Sequence, residues 1–268
     1  MNIDLTKILS GKSSRRKANY VLALIKPTRA QMLTLLAIYY RVVQLWIDAT
    51  PAIAASYEVD LSAKDGPGTG GAAKAEIGRT SAQASSLILL LVPVAAAWAS
   101  RLEKVQQARW VQAVLSATKV DLTGIIGPSD MAAILKASAD WNAALVRDVS
   151  GEIEARISNA VFTGFQSHTS VYETAKEINK TTGIARRRAR NIAVDQSNKL
   201  MAALNRARRE QAGIGEYQWV HSAKLRARPT HLARNGMIFK NDDPRIAPND
   251  RCGVPPMCGC FERAVISP

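Results

Sequence analysis

The tightest constraint on this chain lies between Trp219 and Cys260. A proline- and glycine-broken segment there collects all three cysteines (Cys252, Cys258, Cys260), two of the three histidines (His221, His231) and five of the eleven prolines. So short and broken a segment buries too little apolar surface to offset its ordering entropy, and it needs a staple. Three thiols and an imidazole make a tetrahedral zinc set of His231, Cys252, Cys258 and Cys260, because zinc takes thiolate and imidazole ligands. The spacing is not that of a finger: there is no C-x2-C pair, and Cys258-Gly259-Cys260 is tight for two ligands on one ion. The odd cysteine argues against a closed disulfide set. The alternative is three reduced thiols in a small core beside a surface histidine.

What precedes this segment is written in helical periodicity, rich in Ala and Leu and poor in β-branched runs. Met32, Leu35, Leu36, Tyr39, Val42, Val43 and Trp46 share one face of a helix predicted from Thr28, its N-cap, to about Ala49, with Pro51 as its stop. Residues 62–78 are dense in glycine but lack a Gly-Lys-Ser/Thr ending and a preceding strand, so they read as a flexible loop or hinge and not as a phosphate loop. Helix is predicted again from Thr80 to about Lys119, interrupted at Pro93, and from Ser129 or Asp130 to about Val146. It resumes over Val149–Phe165, ending at Gly164, and then from Thr169 or Ser170 to Gly183. A last helix over about 185–212 has Ala189, Ile192, Ala193, Gln196, Leu200, Ala203, Leu204 and Ala207 as its packing stripe and Gly213 as its C-cap. Arg186, Arg187, Arg188, Arg190, Lys199, Arg206, Arg208 and Arg209 lie largely outside that stripe. The apolar run Leu87–Ala99 is short for a membrane span and carries Pro93 at its middle, which favours a kinked core helix in a soluble protein without a membrane span.

The formal net charge of +14 in 268 residues implies a polyanionic surrounding, DNA or RNA, or an acidic protein surface. Within residues 1–27, a basic run from Lys12 to Lys17 reads as an arm that orders on a partner. Reduced cysteines and the lack of a long apolar N-terminal core suit synthesis in the cytoplasm. No Ser-His-Asp or Cys-His arrangement has a recognisable local context. Asp242-Asp243 with Asp250 and His221 or His231 would suit a metal-dependent nuclease, although an acidic pair before Pro244 is commonly a turn.

The C-terminal half resembles the phage Mu F-like family of minor capsid, or head morphogenesis, proteins. The likeness rests on Trp219, Arg226-Ala227-Arg228-Pro229-Thr230-His231, Gly236-Met237-Ile238-Phe239, Asp242-Asp243, Pro255-Pro256 and Cys258-Gly259-Cys260. It extends back through Gly213-Ile214-Gly215-Glu216-Tyr217-Gln218-Trp219 and the polar helix centre at Asp195-Gln196, to cover roughly residues 130–262. The chain departs from the family pattern at Lys224 or Leu225, where Asp is frequent, and at Gly259, where Arg is frequent. The resemblance implies a mainly α fold, a long helical body with a small turn-rich C-terminal α+β module.

Four regions follow: a basic arm (1–27), a helical N-terminal region (28–128), the helical part of the resemblance (129–213) and the Cys/His module (214–268). The resemblance also implies a structural, non-enzymatic component present in low copy near the portal, inside the capsid of the virion and in the host cytoplasm during assembly. Portal and major capsid proteins and packaged DNA are then the expected partners. The eight basic residues of the last helix, with Arg226 and Arg228, are the expected contacts to nucleic acid or protein. The rival readings are a zinc-stabilised nucleic-acid-binding protein and a metal-dependent nuclease.

Overall fold

Four long helices carry most of the chain in the computed structural model, which describes residues 4–11, 19–62, 71–125, 131–224 and 227–267. They are α2 (Arg29–Ser62), α3 (Gly71–Thr118), α4 (Ala132–Gln166) and α5 (Val171–Gln211), with the short α1 (Leu5–Ser10) before them and α6 (Pro229–Ala233) after. Four short strands, β1 (Tyr20–Val21), β2 (Glu216–Val220), β3 (Ile238–Lys240) and β4 (Phe261–Ile266), form one sheet in the order β1-β4-β2-β3. Every neighbouring pair is antiparallel. The fold is therefore mainly α with a small C-terminal sheet.

Contacts group the chain differently from a linear division at 28, 129 and 214. Unit 1 comprises Met1–Met32, Ala97–Ser138 and Val194–Pro268; unit 2 comprises Leu33–Ala96 and Ala139–Ala193. Unit 2 is purely helical among the described residues, with a core that includes Leu35, Tyr39, Val42, Trp46, Ile53, Leu91, Val146, Ile153 and Ile157. Three of its polar side chains tie segments together. Tyr39 donates its hydroxyl to Asn142 Oδ1 at 2.9 Å, Trp46 donates Nε1–H to Ser150 Oγ at 3.0 Å, and Tyr57 donates to the Thr169 carbonyl at 2.8 Å.

Several sequence-predicted breaks are absorbed. Pro51 and Pro93 stand inside α2 and α3 rather than ending or interrupting them. Both prolines stand at exposed positions, while Ile53 and Tyr57 after Pro51 and Ala95 after Pro93 continue the buried stripe. The segments drawn as ending at Val146 and at Gly183 run on as the single helices α4 and α5. The glycine-rich loop is shorter than 62–78: residues 63–70 lie outside the described residues, and Gly71–Gly78 form the first turns of α3. There the carboxylate of Asp60 accepts the backbone N–H groups of Ala72 at 3.1 Å and Ala73 at 2.9 Å, capping the helix that a phosphate would otherwise suit.

Other boundaries stand where sequence placed them. Thr28 and Gln31 form a reciprocal capping box, with Gln31 N–H donating to Thr28 Oγ1 at 3.2 Å and Thr28 N–H donating to Gln31 Oε1 at 2.8 Å. Ser170 Oγ accepts from Glu173 N–H at the start of α5. At its other end Gly213 takes a positive φ of 65°, and Ile214 N–H reaches the Arg209 carbonyl at 3.0 Å, a Schellman closure.

By length and composition α2 and α3 are each apolar enough to cross a membrane, because α3 extends well beyond the run at Leu87–Ala99. This is weak evidence for a span, since the core helix of a soluble protein passes the same test, although only 39% and 33% of the two apolar windows is buried. Leu89 and Leu90 of α3 are nonetheless exposed, at 67% and 70%.

Candidate functional site

Unit 1 draws the described parts of the N-terminal region onto the C-terminal module. Leu5 of α1 is fully buried and its N–H donates to the Ala212 carbonyl at 2.9 Å. Tyr20 and Val21 pair with Ile266 and Val265, so among the described residues the first strand edges the last. Residues 4–11 and 19–27 are thus packed parts of this unit; the basic run Lys12–Lys17 lies outside the described residues.

Alternation along β2 places Tyr217 and Trp219 in the interior, where they join Phe239, Ile246 and all three cysteines in one buried cluster. Three arginines lie over the aromatic rings: Arg209 on Tyr217 at 4.6 Å, Arg234 on Trp219 at 5.1 Å and Arg245 on Phe239 at 5.1 Å. His231 meets Trp219 edge-on, with ring centroids 4.9 Å apart.

Of the expected zinc ligands, His231, Cys258 and Cys260 converge, all their ligand atoms lying within 4.8 Å of one another. Cys252 belongs to the same core but not to that group. Pro229 at the first position of α6 starts the turn that points His231 inward. The imidazole Nδ1 faces the Cys258 sulfur at 3.6 Å and the Cys260 sulfur at 3.7 Å, while Nε2 is held by Asp250 Oδ1 at 2.8 Å. The other oxygen of Asp250 accepts from Arg234 at 2.6 Å. Burial alone would raise the Asp250 carboxyl, yet His231 and Arg234 hold it below the usual carboxylate range. A hydrogen bond from Cys260 draws the Cys258 thiol down to about 5, and the same bond pushes Cys260 up. Burial raises Cys252 well above an ordinary thiol.

The polar centre of α5 carries the Cys-x-Cys loop. Asp195 accepts the N–H of Met257, a residue at a φ of 58°, at 2.7 Å, and also the ammonium of Lys199 at 3.0 Å. Gly253 is required by close approach: a Cβ there would stand 2.4 Å from Ala202 Cβ, and its φ is +74°. Lys224 donates to the Met257 carbonyl at 2.7 Å and Arg228 to the Pro256 carbonyl at 3.0 Å, so both hold the proline loop locally.

The basic residues of α5 divide. Arg186, Arg187, Arg188 and Arg190 are exposed, with Arg188 paired to Glu152. Arg208 and Arg209 do not lie outside the packing stripe; they are fully buried. Arg208 pairs with Glu103 of α3, while Arg209 and the partly buried Arg206 pair with Glu262 of β4 at 2.7 and 2.9 Å. These three arginines hold the unit together and are not presented to a polyanion. Sequence reasoning missed Glu103 and Glu262; the only sequence signal for the latter is its place in a mainly apolar strand, Phe-Glu-Arg-Ala-Val-Ile, where Arg263 is the other charged residue. Arg226 lies outside the described residues.

The nuclease set does not assemble. Asp243 accepts from the Arg245 side chain and backbone in a tight turn, and the side-chain hydrogen bond holds it down to about 2. Neither Asp242 nor Asp243 belongs to the ligand group, which among the described residues contains only His231, Cys258 and Cys260. His221 Nδ1 accepts from Ala223 N–H within its own turn.

Comparison with known proteins bears on the same region. Residues 153–262 match the family described as Phage Mu protein F like protein, from within α4 to within β4. An uncharacterized protein of Haemophilus influenzae is 30% identical over 150 residues, which are 56% of this chain and 33% of that protein. The chain thus spans about a third of the length of the curated relative it matches. No solved structure matches it.

Proposed function

We propose, from the phage Mu F-like region at residues 153–262, that this chain is a minor capsid protein acting in phage head morphogenesis. The family match is the observation that carries the reading. The matched segment is also the segment built around Trp219, the Cys-x-Cys loop and the buried Arg–Glu pairs, so the shared pattern corresponds to a folded core rather than to scattered surface residues. In this reading the chain is a low-copy component near the portal, inside the capsid, and works through portal and major capsid proteins as a structural part and not as a catalyst. The exposed Arg186, Arg187 and Arg190, with the net charge of +14, support contact with packaged DNA or with an acidic protein surface.

The experiment is a nonsense codon in the gene of a phage that encodes the chain, followed by electron microscopy and protein analysis of purified heads. Wild-type heads should contain the chain in low copy, and the mutant should yield missing, aberrant or non-infectious heads. Normal infectious heads that never contain the chain would refute the reading. For the basic face, replacing Arg186, Arg187 and Arg190 by Ala should reduce the salt slope of DNA binding by roughly one for each phosphate no longer neutralised. An unchanged slope would point the charge at a protein instead.

A further inference from the structure

We infer that His231, Cys258 and Cys260 form a site for a single zinc ion, oriented by Asp250, with the fourth coordination position supplied from outside these three residues. Zinc–sulfur and zinc–nitrogen bonds of about 2.3 and 2.0–2.1 Å, set at the tetrahedral angle, place the sulfur and nitrogen about 3.6 Å apart. The observed separations from Nδ1 are 3.6 and 3.7 Å. As edges of a coordination tetrahedron they are the expected length. Sulfur's large radius makes such distances ordinary for a thiol–imidazole hydrogen bond as well, a weak one, so the surroundings decide between the two readings.

The surroundings agree. His231 is 2% exposed and both cysteines 3%, so the ligands are held away from competing water. The second imidazole nitrogen is bound by Asp250 at 2.8 Å, itself fixed by Arg234, which is how carboxylates orient metal-bound histidines. Two soft thiolates and an imidazole favour zinc over magnesium or calcium. Gly259 lets the Cys-x-Cys turn lie against the chain, since a Cβ there would come within 2.9 Å of Ser222 Cβ. On binding, the proton that Cys260 holds passes to solvent as both sulfurs bond the ion as thiolates, and the ion joins α6 to the loop entering β4. The same three residues with Asp250 also resemble a thiol nucleophile, base and orienter, but a sulfur buried in an aromatic core offers no room for a substrate. The inference is independent of the head-protein reading.

The test is elemental analysis of the full chain purified with zinc, followed by replacement with cobalt and optical spectroscopy. One zinc per chain, and a cobalt spectrum with thiolate charge-transfer and tetrahedral d–d bands, are expected. Both should vanish in Cys258→Ser, Cys260→Ser and His231→Ala and persist in Cys252→Ser. Asp250→Asn should weaken zinc binding by roughly 10- to 100-fold in competition with a chromophoric chelator. Should the ligand variants fail to fold, titrating the wild-type chain with a mercurial should release zinc in step with thiol modification. Absence of zinc and of a cobalt spectrum in the wild type would overturn the site. So would zinc that survives removal of both Cys258 and Cys260, and its loss from a folded Cys252→Ser chain would overturn the three-residue assignment.

Discussion

In unit 2 the polar groups that join helices are neutral and matched in pairs, as Tyr39 is with Asn142 and Trp46 with Ser150, while the buried Asp60 carboxylate serves as a helix cap. Unit 1 has such a neutral pair in Gln106 and Asn205 and adds charged groups: Glu262 serves Arg206 and Arg209, Glu103 takes Arg208, and Asp250 bridges His231 and Arg234. A neutral buried pair that loses one partner forfeits a hydrogen bond and strands one polar group. A buried ion pair that loses one partner strands a charge, and that penalty is larger. Unit 2 is therefore a core of apolar stripes pinned mainly by neutral hydrogen bonds, whereas unit 1 also contains buried ion pairs whose members depend on one another's charges.

The sharpest way to break this contrast is Glu262→Ala, which leaves Arg206 and Arg209 without their shared carboxylate. The expected loss is about 3–5 kcal/mol, read as a lower urea midpoint and faster hydrogen exchange at the β2 and β4 amides. Pairing Glu262→Leu with Arg206→Met and Arg209→Met should lose less than the single change; an equal or greater loss would show that charge is not what matters there. Acid provides a second view of the same group. Burial would raise the Glu262 carboxyl, but Arg209 and Arg206 outweigh it and hold it below its ordinary value. A depressed folded pKa contributes stability that is complete above the unfolded value, about 4.3, and is lost as pH falls through the folded one. Glu262→Gln should accordingly flatten the acid limb of the stability profile below about pH 4.

In unit 2 the matching probe is Ile153→Ala, which empties space beside Val149 and Ile157 on the same buried face of α4 and should cost about 2–4 kcal/mol by cavity formation alone. Its cost should not depend on salt or on acid, and a clear dependence would erase the distinction between the units. Gly253→Ala, pressed on Ala202, should cost about 1–3 kcal/mol through overpacking, with the loss confined to the exchange of unit 1 amides. The smallest effect is expected at a boundary that sequence alone foretold: Thr28→Ala removes half of the capping box and should cost about 1 kcal/mol in urea unfolding.

Helical periodicity made α2, α4 and α5 legible, as it did the caps at Thr28, Ser170 and Gly213, because each depends on residues within one turn. Pro51, Pro93 and Gly183 misled for the same reason. Their local cost is real, but whether it ends a helix depends on which face they occupy and on what the next turn packs against. The candidate site was legible as a set of residues at His231, Cys258 and Cys260. Its exclusion of Cys252 and its completion by Asp250 and Arg234 were not, since these contacts join residues separated by turns whose course no spacing reports.

By itself, then, the sequence determined that this chain is mainly helical and strongly basic, that it ends in a Cys/His module, and that its C-terminal half follows the phage Mu F-like pattern. Those properties reside in periodicity, composition and motif order, all readable one segment at a time. Only the tertiary structure decided which arginines face water and which are buried on glutamates from distant segments, as Arg208 is on Glu103 and Arg209 on Glu262. The physical reason is that an arginine's solvation is set by its surroundings in space, and a buried guanidinium is tolerable only where another part of the chain brings a carboxylate to meet it.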